Sequence, residues 1–288
     1  MHRRTFIGVA LAWAGTAGAN DVPATIPLRI GLTPVFLDDQ AGFLDRWRAY
    51  LEARLARPIE LVQRGSYREI VELLRQGKLD VAWLCGYPYV RGHQFLRLLA
   101  VPEYNGNPTY RSYLIVPSAD KATKSILDLR GRIFAFSDPD SNSGYLYPNY
   151  RLITLQERPH SFFGKSFFTW AHRKVVDAVA ARVAHGGAVD GYVWDTLARF
   201  HPELTSMTRV VERSPEFGFP PFVARATLAR EDEVPVRRVL MDMSKDAEGR
   251  ELLKMLNLTG FVAGEERLFT EIERMAKVFG SYNNAPAA

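Results

Sequence analysis

From residue 28 onward the chain alternates short apolar runs with segments whose apolar residues recur every three or four positions. Leu28-Arg29-Ile30-Gly31-Leu32 predicts a strand that ends at Thr33-Pro34. Phe43, Leu44, Trp47, Leu51 and Leu55 fall at helical spacing and predict an amphipathic helix over 40–55. Ile59-Glu60-Leu61-Val62 reads as a second strand. Ser66-Tyr67-Arg68-Glu69 has the form of a capping box, and the helix it opens turns Ile70, Val71 and Leu74 inward and stops at Gly77. Residues 79–85 are apolar apart from Asp80, the pattern of a strand buried on both faces in a parallel sheet. This β-α-β-α-β series predicts a doubly wound α/β sheet.

A second series follows. Strands are predicted over 110–116, 132–136, 189–194 and 209–212, the first placed to cross between two lobes. Helices are predicted over 144–157, with Pro148 confined to the first turn, and over 175–185, closing at Gly186-Gly187. Residues 222–226 read as a returning strand, followed by helices over 234–243, 247–256 and 265–279 and a frayed tail from 283. No internal repeat or long linker separates the two series. The expected fold is therefore two doubly wound α/β lobes joined by a hinge of crossing strands. Residues 26–112 plus 218–288 would form a discontinuous first lobe around a second lobe of 113–217, with a ligand cleft between them.

The densest chemistry lies in Ser137-Asp138-Pro139-Asp140-Ser141-Asn142-Ser143-Gly144-Tyr145, between a predicted strand and a predicted helix. Ser and Asn are strong N-caps, and the first turn of a helix has free N–H groups and a dipole that favours negative charge. Three hydroxyl or amide side chains beside Gly144 form an oxyanion cradle without Lys or Arg. A plain helix cap preceded by a proline turn would need only one of them.

Composition narrows the function classes. Of 288 residues, 47% are hydrophobic and 24% charged, as in an ordinary globular protein with a core. The formal charge of +5 drops to about +3 without Arg3 and Arg4, and no basic run with interleaved aromatics points to nucleic acid. His2-Arg3-Arg4, the apolar segment 6–18 and Ala17-Gly18-Ala19 read as a signal peptide over 1–19, and Arg3-Arg4-Thr5-Phe6-Ile7 also fits a twin-arginine signal. No other apolar run is long enough to span a membrane, so the mature protein is expected to be soluble, periplasmic and monomeric. Cys85 is the one cysteine and cannot form an internal disulfide. No metal-ligand cluster, phosphate loop or Ser/His/Asp spacing is evident, so neither a cofactor nor an enzyme is expected; Ser141 with His172 is at most a dyad without an orienting third group.

Several segments together resemble the phosphate/phosphite/phosphonate-binding periplasmic proteins of ABC transporters. The resemblance runs through Leu28-Arg29-Ile30-Gly31-Leu32, Leu79-Asp80-Val81-Ala82-Trp83 and Tyr110-Arg111-Ser112-Tyr113-Leu114-Ile115-Val116. Its most specific part is Asp128-Leu129-Arg130-Gly131, Phe134-Ala135-Phe136 and the Asp138-Pro139-x-Ser141-x-Ser143-Gly144-Tyr145-Leu146-x-Pro148 pattern. It implies a type II periplasmic-binding-protein fold, a small oxyanion ligand and an ABC permease partner. It also implies that Ser141, Asn142, Ser143 and Gly144 hold the anion, with Asn142 where many relatives have Thr, and that His172 contacts it. Tyr110, on the crossing strand, is a further candidate contact.

The departures bear on specificity. Relatives that bind aminophosphonates carry carboxylates in the cleft. Asp195 is a candidate for one, while Pro220 stands in the segment where another would lie. Trp194, Phe217 and Phe219 would make the pocket tighter and more apolar, or simply pack the core. Cys85-Gly86-Tyr87-Pro88-Tyr89 ends a central strand, where ligands of α/β sheets collect. A thiol there is similar to arsenite-binding relatives that report to a sensor kinase, an alternative partner; a buried structural Cys85 is the other reading.

Overall fold

The computed structural model describes residues 26–33 and 41–284. The signal peptide expected over 1–19 and the last residues of the tail lie outside them. The first elements are β1 (Leu28–Leu32), α1 (Ala41–Leu55), β2 (Ile59–Gln63), α2 (Tyr67–Arg75), β3 (Val81–Trp83), α3 (Gly86–Arg91) and β4 (Leu96–Glu103). Then come β5 (Thr109–Tyr110), β6 (Ser112–Pro117), β7 (Ile133–Phe136), a π-helical turn at Asn142–Leu146, α4 (Tyr147–Thr154), α5 (Pro159–Phe162), β8 (Lys165–Phe168) and α6 (His172–Ala180). The remainder is β9 (Gly186–Asp190), α7 (Gly191–Phe200), α8 (Pro202–Thr205), β10 (Thr208–Arg213), β11 (Phe217–Gly218), β12 (Phe222–Arg225), α9 (Arg230–Asp242), α10 (Ala247–Met255), β13 (Gly260–Val262) and α11 (Thr270–Asn284).

These elements build two α/β lobes with mixed sheets. The first sheet has the order β13-β4-β12-β3-β1-β2. Its β2-β1-β3 part is parallel, as the amphipathic crossovers α1 and α2 require, and β12 enters antiparallel beside β3. The second sheet has the order β10-β6-β9-β7-β8, parallel across β9-β7-β8 and antiparallel across β10-β6-β9. The chain leaves the first sheet after β4 and returns to it at β12. Along the two passages β5 and β11 pair antiparallel, Tyr110 opposite Phe217. The last helix, α11, packs against α3 and α4, and so touches elements beside both sheets. Among the described residues no helix is long and apolar enough to cross a membrane.

Several expected elements differ. The strand expected over 79–85 is shorter: Asp80 turns its carboxylate onto Arg29 and Arg225, and the segment from Gly86 is a short helix that was not anticipated. The strand expected over 189–194 is β9 at 186–190 followed at once by α7. The physical reason is Asp190, whose side chain accepts from the amides of Tyr192 and Val193 and starts the helix there. The Gly186-Gly187 pair read as a helix stop lies inside β9, where a side chain has no room: a Cβ on Gly187 would come within 2.5 Å of Val175. The helix expected over 144–157 is a π turn followed by α4, with Pro148 in the first turn of α4 as the missing N–H demands. β4, β8 and β13 gave no sequence signal that was read.

Candidate functional site

β7 delivers the chain from the interior of the second sheet to the Ser137–Ser143 segment, every residue of which except Pro139 is buried. Ser141 caps the turn: its Oγ accepts from the Gly144 amide at 3.0 Å. Asn142 spans the gap between the lobes. Its backbone N–H donates to Cys85 Sγ at 3.3 Å and its side-chain amide donates to the Tyr110 hydroxyl at 3.0 Å. Ser143 is anchored through its carbonyl, which accepts from the Ser112 hydroxyl at 2.7 Å. The Ser143 Oγ, Ser137 Oγ and Asn142 Oδ1 are buried without a hydrogen bond of ordinary geometry, the Ser143 hydroxyl meeting only the Tyr110 phenol. Buried polar atoms left in this way are rare, and a cluster of them marks a place where an additional group is accommodated. Gly144 is required by close approach, because a Cβ there would fall 1.9 Å from Ser137 Oγ and 3.1 Å from His172 Cε1.

His172 opens α6 and is buried. Its Nδ1 accepts from the Asp190 amide at 3.0 Å, which places the ring proton on Nε2, 3.4 Å from Ser141 Oγ. Burial lowers its pKa to about 3, so the ring is neutral and acts as a donor. This orientation disposes of a serine–histidine dyad: an Nε2 that carries the proton cannot take one from Ser141. Asp190 is buried beside it, and desolvation pushes its carboxyl up to about 8 although the Tyr192 and Val193 amides oppose the shift. Desolvation is likewise the largest cause of the raised pKa of the Tyr67, Cys85 and Tyr110 side chains.

The remaining predicted residues divide. Cys85 is buried against the Asn142 amide, and burial pushes its thiol up to about 12, so it sits there as a neutral thiol. Tyr110 is in the cluster through Asn142. Gly86 follows Cys85 directly and its Cα hydrogen side faces Ile272 and Phe269 of the terminal segment. Tyr87 lies under the Arg91 guanidinium and Tyr89 packs on Phe269. Asp195 Oδ2 accepts from the phenols of Tyr104 and Tyr113, at 3.0 and 2.9 Å, and the residue lies near enough to Asp190 to raise its pKa. Trp194 donates to Thr208, while Phe217 and Phe219 wall Tyr110 edge-on.

Three residues were missed. Asp190 was hidden inside an expected strand; an isolated acid ending an apolar run before Gly191 was the signal. Tyr67 was read only as part of a capping box, yet its amide donates to Asp138 Oδ2 at 3.1 Å. Asp138 lay in the motif but was not singled out. Among the described residues no group of three or more His, Cys, Asp or Glu is placed to hold a metal ion.

The arrangement gathers neutral donors where the π turn begins, the serine hydroxyls and an imidazole Nε2–H, while the Asn142 and Gly144 amides are already bonded to Cys85 Sγ and Ser141 Oγ. That set stabilises an anion's oxygens and contains no activated nucleophile. The chain is 24% identical over 252 residues to the phosphonates-binding periplasmic protein of Escherichia coli, covering 83% of this chain and 73% of that one. It is 29% identical over 158 residues to the phosphate-import protein PhnD of Mycolicibacterium smegmatis, a match that spans 51% of this chain and about half, 48%, of that protein. The solved structure of the binding-protein component of a Pseudomonas aeruginosa ABC phosphonate transporter superposes with a TM-score of 0.83 at 21% identity, covering 91% of this chain and 90% of that one, and so shares the fold. The family model for the periplasmic substrate-binding protein of phosphonate ABC transporters matches residues 30–269, and the chain belongs to that family.

Proposed function

We propose that the chain captures a small phosphorus oxyanion (phosphate, phosphite or a short phosphonate) between a lobe of residues 26–112 plus 218–288 and a lobe of 113–217, and presents it to an ABC permease. The observation that carries this reading is the pair of buried Ser137 and Ser143 hydroxyls at the start of the π turn, neither in a hydrogen bond of ordinary geometry, completed by the His172 Nε2–H. Ser141, Asn142, Ser143 and Gly144 would hold the oxygens, and Tyr110 would close the other side. Donors without a fixed cation bind an anion by hydrogen bonds, which reward correct geometry more than charge. A proton on the buried Asp190 carboxyl, which its raised pKa favours, leaves no negative charge next to His172 to oppose an anion. Phe217 and Phe219 behind Tyr110 limit the ligand's size. Asp195 Oδ2 already accepts from two phenols, which makes the residue a poorer partner for an ammonium group.

The test is calorimetry with phosphate, phosphite, methylphosphonate, 2-aminoethylphosphonate and sulfate. Saturable binding of one of the first three, with sulfate silent, is the expected result. No binding by any of them overturns the reading. Arsenite belongs in the same series, because capture through Cys85 and signalling to a sensor kinase is the other role read from the sequence. A thiol with its pKa raised to about 12 and already accepting the Asn142 N–H supports the oxyanion role over that one.

A further inference from the structure

The segment that carries the anion cradle also grips the opposite lobe, and it does so with different residues. Asp138 Oδ2 accepts from the Tyr67 amide at 3.1 Å, in the first turn of α2, where the helix dipole favours a carboxylate. Asp138 Oδ1 accepts from the Asp140 amide at 2.7 Å, so the two acids are fixed relative to each other. Asp140 Oδ1 accepts from Arg91 Nη1 at 2.9 Å, in the last turn of α3, and its Oδ2 lies 3.6 Å from Arg68 Nε. Asp138 and Asp140 belong to the loop after β7 of the second sheet, whereas Tyr67, Arg68 and Arg91 flank β3 of the first. Under these contacts lies a hollow of about 270 Å³, lined by Arg68, Arg75, Arg91, Asp140 and Phe95 among others, so the acid is the second sheet's contribution to a basic depression on the first.

We infer that Asp138 and Asp140 form an interlobe latch: positioning residues that touch no ligand and set affinity by stabilising the closed arrangement. The loop from Ser137 to Ser143 then couples two events mechanically. Its distal half, Ser141 to Ser143, would contact the ligand, and its proximal half engages Tyr67, Arg68 and Arg91. A ligand that fixes the first half positions the second, so closure follows from binding by differential contacts in the two states. The two acids contribute unequally. The Asp138 side chain is shielded and meets a backbone amide, while the Arg91 and Arg68 side chains are 57% and 76% exposed, so solvent and salt weaken their pairing with Asp140. The coupling to ligand rests on the oxyanion reading; the latch itself does not.

The experiment is small-angle X-ray scattering on the purified ligand-free protein, comparing wild type with Asp138→Asn/Asp140→Asn and with Arg91→Gln, each also titrated with phosphate and methylphosphonate. The latch predicts a larger radius of gyration for both variants, more for the double one, and anion affinity weaker by roughly three- to tenfold for Arg91→Gln. Arg91 is mostly exposed, so this variant keeps the fold even where the double variant does not. A radius of gyration identical across wild type and variants overturns the latch. A shifted radius with no binding of either anion by any of the proteins leaves the latch standing and removes the oxyanion reading instead.

Discussion

Replacing Ser143 by alanine is expected to weaken anion binding without weakening the fold, and the structure sets both signs. The Ser143 side chain is fully buried and its Oγ has no hydrogen bond of ordinary geometry, meeting only the Tyr110 phenol, while the residue is held by its backbone carbonyl, which the substitution leaves in place. A buried hydroxyl so weakly bonded carries a desolvation cost of about 1–3 kcal/mol, so its removal leaves the ligand-free protein about as stable as before. A hydrogen bond from that hydroxyl to a charged ligand contributes about 1.5–3 kcal/mol, which corresponds to a loss of roughly 10- to 150-fold in affinity. Ser141→Ala supplies the contrast. Its Oγ already accepts from the Gly144 amide, so the ligand-free protein also loses an N-cap, about 1 kcal/mol, and melts a few degrees lower (roughly 2–4 °C per kcal/mol). Calorimetric titration and ligand-free thermal melts on the two variants measure the four quantities. A Ser143→Ala protein that binds its anion as tightly as wild type would refute the cradle. One that melts several degrees lower without ligand would refute the claim that the hydroxyl is reserved for ligand.

Three more expectations follow from the same geometry. Gly144→Ala should be destabilised by about 1–3 kcal/mol and should lose anion binding, because the new Cβ falls on Ser137 Oγ and crowds His172; wild-type affinity in titration would contradict the packing argument. Asp190 has its folded pKa raised to about 8 from an ordinary value of 3.8, so its stabilising contribution is complete below that lower value and is lost as pH rises toward 8. His172 is lowered to about 3, so it is neutral both folded and unfolded above its ordinary value of 6.5 and adds no slope there. Asp190→Asn should therefore flatten the decline in melting temperature between pH 6.5 and 8, and an unchanged slope would show that Asp190 is ionised in the folded protein. Asp195→Asn should leave anion affinity within about twofold, since the side chain serves Tyr104 and Tyr113; a tenfold change in titration would return it to the cleft.

Much of the architecture was legible along the chain because local signals and tertiary packing agree. The apolar face of α1, the capping box before α2 and the uninterrupted burial of 81–83 each specify one element and one orientation, and the parallel β2-β1-β3 core follows from alternating them. The signal failed where a residue type carries two meanings. Gly186-Gly187 is as good a helix terminator as it is a pair of small strand residues, and only the proximity of Leu129 and Val175 decides between them. Asp190 looks like a chance polar residue in an apolar run until its bonds to the Tyr192 and Val193 amides show it ending a strand and starting a helix.

The candidate site divides in the same way. The run Ser141-Asn142-Ser143-Gly144 between a strand and a helix is a local pattern, and capping chemistry acts over three or four residues, so the sequence alone determined that donors gather at this turn. Which atoms are already spent and which are free is a question about neighbours far apart in the chain. Only the tertiary structure brings Asp190 to His172, and so puts the ring proton on Nε2. Only the tertiary structure brings Cys85 and Tyr110 to Asn142, and Tyr67 to Asp138, across the gap between two lobes. It also gives the Asp195 carboxylate to the phenols of Tyr104 and Tyr113. Hydrogen bonds fall away steeply with distance and angle, so they are fixed by where the two lobes meet, a property that no stretch of sequence carries by itself.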